Sequence, residues 1–241
     1  MITIQNLTIG FKNRTLLDNA EASFPQNTLT SLIGRNGTGK STFLRAIAGL
    51  NSHYTGSILL DSQEVKAMST TEMARRLAFV STQRIHIPSM RCVDAVAMGR
   101  APYTNWIGRM QKIDEEIVMR SLEDVGMKDF ANRTLDTMSD GECQRVMIAR
   151  ALAQDTPVIL LDEPTSFLDM PSRYDLVNLL SRLAHEQGKC IIFSTHELDI
   201  ATKMCDTVAM IYTPTLIHLP ASEFVNAPYL KEMLPQNSMS F

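Results

Sequence analysis

The 241 residues carry a net charge of −3, with 44% apolar and 20% charged side chains. That length and apolar content suit one large domain with a continuous core, and the lack of a basic excess argues against a nucleic-acid binder. No apolar run approaches the roughly 20 residues of a membrane-spanning helix, and the opening MITIQNLTIG lacks the basic flank and apolar stretch of a secretory leader. Cys92, Cys143, Cys190 and Cys205 are too far apart for a zinc or redox pair, and the five histidines form no metal-ligand cluster. The expectation is a soluble protein with reduced thiols.

In chain order, Ile2 and Ile4 alternate with polar residues as in a strand, and Thr28–Ile33 reads as another, ending at Gly34. A helix is predicted over about residues 39–48, stopped by Gly49. Ser69 and Glu72 have capping-box spacing for a short helix, after which residues 77–80 return to strand. Residues 82–136 are helical in pattern, with helices expected over 91–98 and 114–125; Ile117, Val118, Leu122 and Val125 share one face of the second. The apolar runs 158–161, 190–193 and 208–212 suit strands buried on both faces of a parallel sheet. Strands alternating with helices imply an α/β core, so the middle region reads as a helical lobe inserted into it. One further helix is expected around 221–234 in an otherwise polar tail.

The strongest chemical signal is Gly34-Arg35-Asn36-Gly37-Thr38-Gly39-Lys40-Ser41, placed between a predicted strand and a predicted helix. Its glycines let backbone N–H groups curl around phosphate oxygens at a helix N-terminus. Lys40 is suited to the β- and γ-phosphates, and the Ser41 hydroxyl to Mg²⁺. The strand at 158–161 ends in Asp162-Glu163. Asp162 is placed to hold Mg²⁺ or its waters, and Glu163 to polarise the attacking water.

These two motifs leave many phosphate-loop ATPases and GTPases open; Met138-Ser139-Asp140-Gly141-Glu142-Cys143-Gln144-Arg145 narrows the choice. Here the chain resembles the nucleotide-binding subunit of ABC transporters, over residues 2–212 and with the motifs in family order. The resemblance implies a P-loop NTPase (RecA-like) α/β core, residues 1–81 and 138–212, with an antiparallel β subdomain. It also implies an inserted α-helical subdomain over about 82–137 and a C-terminal tail over 213–241. It implies ATP sandwiched with Mg²⁺ between two copies, each contributing its phosphate loop (Gly34 to Thr42, with Asn36, Gly37, Thr38, Gly39, Lys40 and Ser41) to one site and its signature to the other. Phe11 matches the aromatic that stacks on adenine. Gln83 matches the glutamine that meets Mg²⁺ or water and links to the membrane partner. Ser139 and Gly141 match the signature contacts to the opposite γ-phosphate. Asp162 and Glu163 match the magnesium-binding and catalytic acids, Asp169 the acidic member of the loop between subunits, and His196 the γ-phosphate histidine.

The signature departs from the family's Leu-Ser-Gly-Gly-Gln at Asp140 and Glu142. Both acids suit a helix N-terminus but are expected to be unfavourable near the opposite γ-phosphate. The segment from Gly99-Arg100-Ala101-Pro102-Tyr103 to Trp106-Ile107-Gly108-Arg109 looks like that of importers for ferric siderophores, haem and cobalamin. The resemblance thus implies an ATPase on the cytoplasmic face of the inner membrane, working with permease subunits and, through them, a substrate-binding protein. The alternative is a soluble ABC ATPase of the iron–sulfur cluster assembly type.

Overall fold

The computed structural model describes residues 1–11, 14–82, 87–104 and 110–226. Ile2–Phe11 (β1) opens the chain and pairs antiparallel with Arg14–Phe24 (β2). Thr28–Ile33 (β3) is buried at every position and leads into Lys40–Ile47 (α1). Tyr54–Leu60 (β4) and Gln63–Glu64 (β5) return to the first sheet, whose order is β2-β1-β4-β5. Thr70–Arg76 (α2) starts at Ser69 in the expected capping box with Glu72 and ends in Leu77–Val80 (β6).

The inserted region holds Cys92–Ala97 (α3) and Lys112–Asp124 (α4). Asp140–Ala153 (α5) follows, packed on both. Val118, Leu122 and Val125 are buried along one face of the second of these helices, with Ile117 packed beside them. Val158–Leu161 (β7), Met170–Gln187 (α6), Cys190–Ser194 (β8), Leu198–Lys203 (α7), Thr207–Tyr212 (β9), Thr215–Pro220 (β10) and Ala221–Phe224 (α8) complete the described chain.

The second sheet has the order β10-β9-β3-β8-β7-β6, parallel except for its β10 edge. Period-two alternation splits β7 between two cores. Val158 and Leu160 join the core under the antiparallel sheet and α1, while Ile159 and Leu161 join the core under α5 and α6. Several elements depart from the sequence expectation, among them β4, which it did not include. β2 is a long edge strand that was not anticipated, and the region taken as a tail supplies β10 to the sheet. The terminal helix covers only Ala221–Phe224 within the described residues, and residues 227–241 lie outside them.

Gly99 explains the tight seam between the inserted region and the core. A Cβ there would sit 2.3 Å from the Arg150 carbonyl oxygen and 3.3 Å from the Ala153 Cβ. Next to it, Arg100 is buried, its Nε 2.8 Å from Asp114 Oδ1 and its Nη1 donating to the Ala153 carbonyl at 2.9 Å. Its guanidinium lies 4.1 Å from the centre of the Tyr103 ring. The Gly-Arg-x-Pro-Tyr segment is therefore a joint between α4 and α5.

Candidate nucleotide site

The phosphate loop connects β3 to α1. Gly39 caps α1 at φ 102°, a left-handed conformation that glycine adopts without Cβ strain. A Cβ there would also press within 3.0 Å of Leu16 Cδ1. The loop, with Phe11, Arg14, Leu16, Asn36, Gly37, Gly39, Lys40, Ser41, Thr42 and Glu163, lines a cavity of about 580 Å³. Phe11 presents a ring that is 68% exposed at its rim, where an adenine would have a face to stack on. Gly34 and Thr38 complete the loop, with Thr38 Oγ1 donating to the Arg35 carbonyl at 2.9 Å.

Lys40 is buried, and its Nζ donates to the Gly34 carbonyl at 2.9 Å. Burial lowers its pKa, opposed by the carboxylates of Glu163 and Asp162. His196 Nε2 stands 2.6 Å from Glu163 Oε1 and 3.5 Å from Lys40 Nζ. Three groups from the ends of β7, β8 and the loop thus converge at one point beside the phosphate loop.

The two acids are fixed by a residue with no role assigned from sequence. Ser194, fully buried at the end of β8, accepts the Glu163 N–H at 2.8 Å and donates to Asp162 Oδ1 at 2.8 Å. Glu163 itself has φ 49°, an unusual conformation for a non-glycine residue and one that recurs at functional sites. The only signal in the sequence was the position of Ser194 at a strand end two residues before His196. Glu197 was also missed: it accepts from Thr165 Oγ1 and from Arg173 Nη1, each at 3.2 Å. Arg173 donates further to the Leu168 carbonyl at 2.8 Å, clamping the loop that ends at Asp169. Asp169 caps α6, accepting the Ser172 N–H at 3.1 Å, and these Ser172 bonds hold its carboxyl below the usual range.

The signature residues do not line the phosphate-loop cavity. Ser139 is the exposed N-cap of α5, and Glu142 closes a capping box on it. Met138 and Cys143 take the flanking staple positions and pack on the core that contains Cys92, whose Sγ is 3.1 Å from Met138 Sδ. Gly141 lies against the loop that precedes α6: a Cβ there would be 3.2 Å from the Phe167 carbonyl oxygen. Glu142 is also engaged within its own chain. Its Oε2 accepts from the Ser139 N–H at 2.8 Å and the Ser139 hydroxyl at 2.9 Å. Those bonds, aided by Arg133, lower its pKa.

The structure therefore gathers Phe11, the loop residues, Lys40, Asp162, Glu163 and His196 at one site, while Ser139, Gly141 and Asp169 are not among the residues that line its cavity. Gln83 and residues 105–109, which include Trp106, lie outside the described residues. Fold and site define a P-loop NTPase, with the signature segment outside the residues that line the phosphate-loop cavity.

The sequence matches the family model described as ABC transporter over residues 17–166. It is 36% identical to the achromobactin transport ATP-binding protein CbrD of Dickeya dadantii, over 89% of this chain and 80% of that one. It is 35% identical to the iron(3+)-hydroxamate import ATP-binding protein FhuC of Bacillus subtilis, over 90% of this chain and 80% of that one. A solved dimeric ATP-binding cassette in a post-hydrolysis state, with ADP and Pi, superposes with a TM-score of 0.81 at 25% identity, over 92% of this chain and 99% of that one. The chain belongs to the ABC transporter family and is one of its ATP-binding, ATP-hydrolysing subunits.

Proposed function

We propose that this chain is the ATPase of a bacterial ABC importer for an iron-siderophore, haem or cobalamin-type cargo. The observation that carries the reading is identity of 35–36% across most of the chain to ATP-binding subunits of siderophore and iron-hydroxamate transport. The joint around Gly99, Arg100 and Tyr103 supports it, because it builds the segment that pointed to this importer class. Relatives of this kind do not support the iron–sulfur assembly alternative.

In this reading two copies close on two ATP molecules. Lys40 and the loop amides hold the phosphates, Phe11 stacks on the base, and Ser139 and Gly141 of the other copy complete each site. Asp162, a buried carboxylate next to Glu163, and Ser41, a hydroxyl lining the phosphate-loop cavity, would supply oxygen donors of the kind Mg²⁺ prefers. The metal, when bound, neutralises charge on the β- and γ-oxygens. Glu163 orients and polarises the water, and His196 holds Glu163 and faces the terminal phosphate. Gln83 links the site to the permease. Closing and reopening the pair moves membrane subunits on the cytoplasmic face of the inner membrane, with cargo delivered by a separate binding protein.

The test is co-purification of the tagged chain from membranes together with its permease, followed by uptake of labelled ferric siderophore, haem and cobalamin in cells carrying or lacking it. Loss of one uptake on deletion, restored by the wild type but not by Glu163→Gln, supports the proposal. Unchanged uptake of all three, with no permease recovered, overturns it.

A further inference from the structure

The signature serine has one hydroxyl proton and one backbone N–H, and both are already committed. Ser139 N and Oγ each lie within 2.9 Å of the same Glu142 oxygen, Oε2, while the Glu142 N–H returns to Ser139 Oγ at 3.3 Å. An ionised carboxylate only accepts hydrogen bonds. The Ser139 hydroxyl must therefore be the donor in its 2.9 Å contact, and it has no second proton for a phosphate. Glu142 thus occupies, from within the chain, the donors that an incoming phosphate oxygen would use. A glutamine at 142 would behave differently: its amide N–H₂ can donate to Oγ and leave the serine proton available.

A cation stands ready for the displaced carboxylate. Arg133 Nη1 is 3.8 Å from the other oxygen, Glu142 Oε1. Its Nη2 is anchored on the Thr137 carbonyl at 2.8 Å, one residue before Met138. The arginine's own carbonyl accepts from Cys92 N at 2.9 Å, at the start of α3. The guanidinium is therefore tethered to the segment that presents the signature, and a small rotation of Glu142 would bring it into full contact.

We propose that Glu142 competes with the terminal phosphate of the opposite copy's ATP for Ser139, and that Arg133 receives Glu142 when the phosphate displaces it. The pair sets the ATP concentration at which the two copies close. The inference rests on the reading of Ser139 as a phosphate contact, and the test separates the two. Dimerisation is followed by sedimentation across an Mg-ATP titration in the Glu163→Gln background, which blocks turnover and accumulates the closed pair.

Glu142→Gln, which keeps a capping-box residue and so keeps the helix, should lower the ATP needed for half-dimerisation by roughly tenfold, the worth of one charge-assisted hydrogen bond. Arg133→Gln should raise it, and Arg133→Lys should bring it back. Ser139→Ala should raise it as well. If Ser139→Ala raises the requirement while Glu142→Gln leaves it unchanged or raises it, the competition is refuted and the phosphate contact stands. If Ser139→Ala has no effect, the phosphate contact itself fails and the competition fails with it. Indifference to Arg133→Gln removes the arginine from the scheme.

Discussion

His196 Nε2 lies 2.6 Å from Glu163 Oε1, and the same nitrogen is 3.5 Å from Lys40 Nζ. With Glu163 ionised, Nε2 must carry the proton, because a carboxylate only accepts. The lysine then faces a donor, not an acceptor, which accounts for its ammonium turning to the Gly34 carbonyl at 2.9 Å. Within the chain, the Lys40 ammonium and the Glu163 carboxylate each have a partner. A phosphate entering among them gives Lys40 an acceptor and gives His196 a second one to choose.

Glu163→Gln tests the centre most directly. The amide keeps the size of the side chain but is a far weaker base, so phosphate release should fall by about 10²–10⁴-fold. The variant should also accumulate as an ATP-dependent dimer on a sizing column while the wild type stays mostly monomeric. Retention of full turnover would remove Glu163 from the role of base.

Ser194→Ala addresses the hydroxyl that ties the two acids together. It leaves the buried Asp162 Oδ1 without its donor and the strained Glu163 backbone without its acceptor. Leaving buried polar groups unpaired costs about 1–3 kcal/mol. The expected result is a lower denaturant midpoint together with reduced Mg-ATP turnover. Wild-type values for both would show that the bridge is dispensable.

Much of this site was legible because its motifs are local. Gly34 to Ser41 lie between a strand and a helix that periodicity alone predicts, and Asp162-Glu163 end an apolar run. Ser194 and Glu197 were not legible in this way. Each acts through a partner made near only by the fold: Ser194 is 31 residues from Glu163, and Arg173 is 24 from Glu197. The long β2 strand was missed for a related reason. It is an edge strand with several exposed positions, so burial imposes little pattern on its sequence. β10 was hidden similarly, since only Leu216 of its residues is buried.

Gly99→Ala should destabilise the joint between the inserted helices and the core. The added Cβ would stand 2.3 Å from a backbone carbonyl oxygen in α5, which cannot rotate away as a side chain would. Overpacking of this kind costs about 1–3 kcal/mol. Thermal melting should show a lower Tm, and ATP-driven dimerisation should survive wherever the variant is folded. An unchanged Tm would mean that α3 and α5 separate more easily than their packing implies.

The buried ion pair of Arg100 and Asp114 sets an acid limit on stability. The Gln111 N–H bonded to Asp114 holds its carboxyl below the usual range, with Arg100 adding to the effect. A carboxyl whose folded pKa is depressed contributes stability that is fully present above its unfolded value, about 3.9, and is lost as pH falls through the folded value. Asp114→Asn should therefore flatten the loss of stability on the acid side while lowering stability near pH 7. The loss at neutral pH should approach the roughly 3–5 kcal/mol cost of stranding one member of a buried pair. Replacing both partners, Arg100→Met with Asp114→Leu, should recover part of it, because no charge is then left buried alone. Denaturant titrations of the wild type and the two variants at pH 7 and at a series of pH values below about 3.9 measure all of these terms. Equal stability of the single and double variants at pH 7 would show that Arg100 is held by the Ala153 carbonyl and the Tyr103 ring without need of its carboxylate.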